Sequence, residues 1–244
     1  MYSSIKRFIV KIVPKQVLFH YEYSLRNFYS LFYTGNKFQC NICDIKLSNF
    51  VLLDNDRLCP RCGSLQRTRR LWQILNDGFL QNGIKILDFS PSRSIYRLLK
   101  KNYNYLSSDL SGDFLSEVAF DITKIDAENE SYDLIICYHI LEHIDDDIKA
   151  MKELFRVLRR GGNCLIQTPF KEGEIFEDST IKSPKEREKY FGQFDHVRIY
   201  SIEGLKKRLE NVGFKVTPKH FTSEYENLHG LSKNETVLIC NKPN

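Results

Sequence analysis

The chain has 244 residues, 42% hydrophobic and 27% charged, enough for one α/β domain of ordinary size and a small module. No run of about 18 apolar residues occurs, and Lys11 and Pro14 interrupt the apolar N-terminal stretch, so neither a transmembrane helix nor a secretory leader is predicted. The net charge of +5 is uneven: residues 1–72 hold 12 Lys/Arg against 4 Asp/Glu, a net of +8, and the remainder holds 24 against 27, a net of −3. A basic N-terminal part suits a polyanion or an anionic membrane face, or is a solvated surface.

Residues 1–37 form the first predicted unit, a basic arm of two amphipathic helical pieces broken at Pro14. Lys6, Arg7 and Lys11 lie among Ile5, Phe8, Ile9, Val10 and Ile12 in the first piece. In the second, Val17, Leu18, Tyr21, Leu25, Phe28 and Phe32 make one stripe, which either packs on the domains that follow or lies on a membrane. The expected location is cytoplasmic, with residues 1–33 open to a peripheral position on an anionic inner membrane face.

Residues 38–76 carry the strongest local signal. Cys40 and Cys43 form one CxxC pair, Cys59 and Cys62 another, and 15 residues separate the pairs. Each pair supplies two thiolates from one tight turn, and two turns close a tetrahedron around zinc. Four thiolates leave no open coordination position, so the predicted zinc is structural. A redox CxxC would use one pair and leave the other unexplained. Cys137, Cys164 and Cys240 fall in predicted strands as small core residues, and the pattern suits a reducing compartment. Ser64 is the expected N-cap of a helix to about Asn76, with Arg67, Arg69 and Arg70 as its basic residues.

Residues 77–244 form the main predicted domain. Ile84–Phe89, Tyr105–Asp109, Val118–Ile122, Leu134–Cys137 and Cys164–Ile166 are predicted strands. The apolar run 134–137 has the character of a fully buried parallel strand. Between the last two, a helix opening at Asp145 places Ile148, Met151, Leu154, Phe155 and Leu158 at helical spacing and is expected to end at Gly161-Gly162. Residues 169–200 are too long for an ordinary connection and are expected to form a substrate lid. Ser201 then caps a helix ending at Gly213, and Phe214–Thr217 and Glu235–Cys240 are the last two strands. Asp109 lies 21 residues after Asp88, close to the spacing at which an acid binds ribose hydroxyls.

The run YDLIICYHILEHI at 132–144, the helix after it and the run VLRRGGNCLIQTP at 157–169 resemble the second half of a class I S-adenosylmethionine (SAM) dependent methyltransferase. The resemblance covers roughly residues 84–241 and extends to bacterial methyltransferases bearing an N-terminal zinc ribbon. It implies a Rossmann-like, seven-stranded α/β sheet. It also implies SAM contacts from Asp88, Phe89, Ser90 and Pro91 after the first strand, Asp109 and Leu110 after the second, Asp121 and Ile122 after the third, and Tyr138 and His139 after the fourth. Where the family places a Gly-x-Gly-x-Gly loop, this chain has Ser90, Ser92 and Ser94. Glycine admits close backbone approach and positive φ more freely than serine does.

Methyl transfer from an activated sulfonium needs alignment, and a hydroxyl acceptor also needs a base. His139, His143 and His196 are the candidate bases, and Asp178, Asp195, Arg198 and Tyr200 are candidate acceptor-binding residues in the insertion. The fourth strand ends in Cys137-Tyr138-His139-Ile140. It lacks the Asp/Asn-Pro-Pro-Tyr/Phe motif of enzymes methylating exocyclic base amines, and this argues against that reaction. The leading expectation is O-methylation of a sugar, lipid-linked or other small-molecule acceptor. The alternatives are an RNA methyltransferase whose ribbon and Arg67, Arg69 and Arg70 grip phosphates, and a non-catalytic zinc-dependent interaction module.

Overall fold

The computed structural model describes residues 15–53, 56–222 and 227–244, with side chains from Tyr21 onward. The basic piece at residues 1–14 lies outside the described residues. The chain divides into two compact units, Met1–Phe79 with Arg93–Leu98 and Thr222–Asn234, and Leu80–Ser92 with Leu99–Phe221 and Glu235–Asn244.

In the first unit, helix α1 (Lys15–Ser30) leads through a 3-10 turn to β1 (Thr34–Gln39), which pairs antiparallel with β2 (Lys46–Leu47). A second hairpin joins β3 (Val51–Leu53) to β4 (Asp56–Leu58), and helix α2 (Gln66–Ile74) follows. Of the apolar stripe, the described side chains of Tyr21, Leu25, Phe28 and Phe32 are 55–74% exposed, so the packing alternative does not hold for them. Among the described residues no helix is long and apolar enough to cross a membrane. Ser64 is not a helix cap either: Leu65 holds that position without a side-chain hydrogen bond, and Ser64 is turned onto the cysteines.

The second unit is built on a mixed sheet of order β11-β12-β8-β7-β5-β6. Its strands are β5 (Lys85–Phe89), β6 (Asn104–Ser108), β7 (Tyr132–Tyr138), β8 (Leu158–Gln167), β11 (Lys215–Phe221) and β12 (Glu235–Asn241). β5 to β8 run parallel, and β12 runs antiparallel to both β8 and β11. The Rossmann-like sheet expected from the sequence is therefore present with six strands. The strand expected at Val118–Ile122 is reduced to one bridge between Val118 and Ser108. Pairing stops because Asp121 folds into a turn, accepting from the Thr123 N–H and hydroxyl at 2.8 Å each. Leu134 to Cys137 are each at most 2% exposed, as a strand covered on both faces requires.

Helix α3 (Arg93–Asn102) follows β5, and helix α4 (Asp147–Val157) follows β7. Asp146, not Asp145, caps α4, its carboxylate accepting from Lys149 N–H at 3.0 Å. Ala150, Met151, Leu154 and Val157 form the buried face of α4. The helix ends at Val157 and Leu158 is already extended, so Arg159 and Arg160 stand in β8 and not in a last helical turn. The glycine pair serves the strand instead. Gly161 takes φ 73°, and a Cβ on Gly162 would sit 2.9 Å from the Asp133 carbonyl, next to a register shift between β7 and β8.

Within residues 169–200 lie β9 (Phe176–Glu177), helix α5 (Pro184–Phe191) and β10 (Arg198–Ile199). β9 and β10 pair antiparallel, and Ser183 and Glu186 close a capping box on α5. Helix α6 (Ile202–Val212) is capped by Ser201, which accepts from Gly204 N–H, and stops at Gly213.

Candidate functional site

The residues assigned to the cofactor gather at the carboxyl ends of β5, β6 and β7, where open α/β sheets bind ligands. Asp88 lies inside β5, 2% exposed, and Tyr105 donates its hydroxyl to Asp88 Oδ2 at 2.9 Å. Burial pushes the Asp88 carboxyl up to about 8, against the pull of that hydrogen bond. Phe89 and Pro91 are buried beside it. Ser90 takes φ 49°, the left-handed backbone that a glycine would supply, and donates its hydroxyl to Asp109 Oδ1 at 2.7 Å. The serine loop thus reproduces the backbone turn and adds a link between the first two loops.

Asp109 is 5% exposed. It accepts from Ser111 Oγ at 2.9 Å, Asp113 N–H at 3.0 Å and Phe114 N–H at 3.3 Å. Burial raises its carboxyl, but the Ser90 hydroxyl and the loop N–H groups outweigh this and hold it below the usual range. Two of its donors are serine hydroxyls, which can rotate away while the backbone donors stay. A ribose diol can take their place, so the donor set fits SAM. Leu110 is exposed, Asp121 is exposed in its own turn, and Ile122 is buried.

At the end of β7 the chain makes a tight corner. His139 takes φ 55° while its N–H donates to the Gln167 carbonyl at 2.8 Å, a non-glycine strain typical of functional corners. A 3-10 turn, Leu141–His143, follows. Buried Leu141 anchors it, and Glu142, 1% exposed, points inward. His139 Nδ1 lies 3.2 Å from Glu142 Oε1. Burial alone would raise the Glu142 carboxyl, but the His139 hydrogen bond and charge hold it below its ordinary value. His196 packs edge-on against His143, ring centroids 4.7 Å apart. Burial, with the neighbouring His143, pushes the His196 imidazole below its ordinary value and favours the neutral ring. The three candidate bases are therefore one cluster around Glu142, including His196, which lies 53 residues after His143 in the chain.

The candidate acceptor residues do not gather there. Arg198 is 6% exposed. It donates to Glu177 Oε2 at 2.8 Å, to the Asp145 carbonyl at 2.8 Å, to the Leu141 carbonyl at 3.3 Å and to the Ile144 carbonyl. Its fork is spent on holding the corner after β7, so it is a brace and not an anion clamp. Tyr200 is fully buried and donates to Asp147 Oδ2 at 2.6 Å, a core anchor with no face toward a substrate. Asp178 is exposed and accepts from its own turn at Thr180. Asp195 alone reaches the cluster, its Oδ2 3.2 Å from His143 Nδ1. Glu177, Asp147 and Arg208, which complete the Arg198 network, carry no sequence signal; they meet across separations of 31 to 61 residues.

In the first unit the four cysteines converge, their Sγ atoms all within 4.8 Å. Cys40 and Cys62 sulfurs are 3.6 Å apart and those of Cys43 and Cys59 3.7 Å apart. Metal–sulfur bonds of about 2.3 Å give a tetrahedral edge of about 3.8 Å, so the spacing fits zinc. The two turns are built alike. Asp44 and Gly63 take φ 57° and 74°, and their N–H groups return to the Cys40 and Cys59 carbonyls at 2.8 and 3.0 Å.

Arg69 and Arg70, expected to hold phosphate, are buried. Arg69 donates to the His229, Ser64, Arg57 and Gly230 carbonyls at 2.7–2.9 Å and stacks over Phe50 at 4.1 Å. Arg67 is the exposed arginine of this helix.

A doubly wound sheet with its acids and histidines at the carboxyl ends of the strands is the class I SAM-dependent methyltransferase architecture. A methyltransferase-domain family model matches residues 64–219, and the chain belongs to that family. It is 28% identical over 171 residues to a tRNA U34 carboxymethyltransferase of Wolinella succinogenes, covering 70% of this chain and 56% of that protein. It is also 28% identical over 145 residues to the enzyme of the same name from Campylobacter fetus, covering 57% and 48%. The chain thus spans about half the length of these curated relatives. A solved phosphoethanolamine N-methyltransferase 2 of Haemonchus contortus in complex with SAM superposes with a TM-score of 0.52 at 14% identity, covering 72% of this chain and 52% of that one. That likeness is one of fold.

Proposed function

We propose that the chain is a SAM-dependent methyltransferase that alkylates an oxygen of an RNA nucleotide. The observation that carries the acceptor is the match to tRNA-modifying relatives over 70% of the chain, which favours RNA over the small-molecule acceptor. The observation that carries oxygen is the cluster of Glu142, His143 and His196 at the carboxyl end of β7, a set that can promote the loss of a hydroxyl proton. Bound SAM supplies a methyl group on an activated sulfonium. In this reading Asp109 holds the ribose, Ser90 and Pro91 shape the first loop, and Tyr138 and His139 close the β7 side.

Residues 38–76 act as a zinc ribbon that holds its shape through the four cysteines and Arg69. Exposed Lys37, Lys46 and Arg67 give this unit its phosphate contacts, within an N-terminal part of net charge +8.

The test is a pair of titrations on the full chain. Calorimetry with SAM is expected to show micromolar binding. Fluorescence anisotropy with unmodified tRNA is expected to show affinity falling linearly in log salt, with a slope of about −0.9 per phosphate contact in duplex regions. SAM binding with no salt-dependent RNA binding would overturn the RNA acceptor, and no SAM binding would overturn the enzyme.

A further inference from the structure

Glu142 is almost completely buried, yet its Oε2 has no hydrogen-bond partner among the described residues. A buried carboxylate oxygen left bare is costly unless something binds it. Two imidazoles stand beside this carboxylate: one ligating atom each from Glu142, His143 and His196 all lie within 4.8 Å of one another. Each ring already has one nitrogen held. His143 Nδ1 lies 3.2 Å from Asp195 Oδ2, and His196 Nδ1 lies 3.2 Å from the Phe191 carbonyl. Anchoring Nδ1 on a carboxylate or carbonyl fixes the ring and tautomer and leaves Nε2 with its lone pair, the outer arrangement found around metal-bound histidines. The backbone holds the constellation in place. Val197 N–H donates to the Glu142 carbonyl at 2.9 Å, tying the element that carries His196 to the turn that carries Glu142 and His143. His139 Nε2 is likewise buried without a hydrogen-bond partner among the described residues, and its Nδ1 lies against Glu142.

We propose that Glu142, His143 and His196 form a divalent metal site separate from the four cysteines, with Asp195 and the Phe191 carbonyl as its outer supports. Two imidazoles and one carboxylate suit Mn2+, Fe2+, Co2+ or Zn2+ better than Mg2+ or Ca2+, which prefer all-oxygen shells. Three protein ligands leave open positions, unlike the closed cysteine cluster. Resting on the function proposed above, the open positions take the acceptor hydroxyl. Coordination lowers the proton affinity of that hydroxyl so that it sheds its proton to solvent near neutral pH. The oxygen lone pair then forms the new O–C bond while the S–C bonding pair passes to sulfur, and the metal keeps its oxidation state.

The site is tested on the full chain with its cysteine-bound metal retained and no acceptor or SAM present. Mn2+ is titrated and free Mn2+ followed by its paramagnetic resonance signal, and Co2+ and Zn2+ are titrated in parallel by equilibrium dialysis. The expected result is one additional ion per chain. Glu142→Gln and His143→Gln lose it, Asp195→Asn binds it about 10–100-fold more weakly, and circular dichroism remains that of the wild-type chain. His143 is partly exposed, so its variant reads the site even if Glu142→Gln does not fold. Absence of the additional ion with all three metals, or unchanged affinity in a folded His143→Gln, would overturn the site. SAM binding measured on the same samples separates that outcome from failure of the methyltransferase reading.

Discussion

Arg198 sits where a substrate clamp was expected, and its replacement separates the two roles. In Arg198→Ala the carbonyls of Ile144 and Asp145 lose the guanidinium, the Leu141 carbonyl keeps only its weaker bonds from Ile144 N–H and the Tyr200 hydroxyl, and Glu177 loses one of its two cations. Hydrogen bonds to a charged group contribute about 1.5–3 kcal/mol each, and removing one partner from a buried ionic network costs about 3–5 kcal/mol in total. Glu177 is 41% exposed, so water compensates for part of its loss and the carbonyls dominate the cost. The expected destabilisation is therefore about 3–5 kcal/mol, or roughly 6–20 °C in Tm for a protein of this size. Arg198→Lys keeps the charge but not the planar five-donor fork, and falls in between. Urea unfolding gives the stability and a methyl-transfer assay gives KM and kcat. An Arg198→Ala protein of unchanged stability that is weakened only in acceptor KM would refute the brace and restore the clamp.

Three further outcomes follow from buried groups. Arg69→Met removes a donor from each of four carbonyls; the zinc-loaded protein is expected to release the metal to a chelator at least about tenfold faster while SAM affinity holds, and equal release rates would refute the role of Arg69. Asp88 has its folded carboxyl near 8 against an ordinary 3.8. The folded chain keeps a proton that the unfolded chain releases, so stability falls as pH rises from about 4 to 8, by up to ~1.4 kcal/mol per pH unit. Asp88→Asn is expected to flatten that part of the urea-unfolding profile, and parallel profiles would refute it. Asp109→Asn loses a carboxylate held ionised by its loop; calorimetry is expected to show SAM affinity lowered about 10–100-fold, and unchanged affinity would place the ribose elsewhere.

The parts of the fold written in local pattern were legible. The apolar run at 134–137, the cap at Ser201 with its stop at Gly213, and the two CxxC turns each depend on neighbours a few residues away. What failed depends on distant partners. Arg69 and Arg70 look basic and solvated on a helix; the sequence does not reveal that carbonyls of residues 229 and 230 lie over Arg69. Val118–Ile122 has strand-like composition, but the turn at Asp121 takes the chain off the sheet after one bridge. The helix after β7 loses its expected last turn because the strand claims Leu158 to Gly162. The serine loop departs from the family's glycines in identity but not, at Ser90, in backbone conformation. Glycine lowers the cost of positive φ, but Ser90 takes that conformation and recovers a hydrogen bond to Asp109.

The insertion at 169–200 shows how position and role can come apart. Its length suggested a cover over the sheet edge, but its last ten residues are a support. Val197 bonds the Glu142 carbonyl, Arg198 gathers the carbonyls of the corner, Tyr200 is sealed on Asp147, and His196 is delivered between them. Residues 182–190, by contrast, are mostly exposed, and α5 closes its own ends with a capping box and Gly192. Displacing the second half would break the bonds that hold Glu142 and His143 in place, whereas α5 makes its capping bonds within itself. The second half of the segment thus fixes the corner that carries Glu142 and His143.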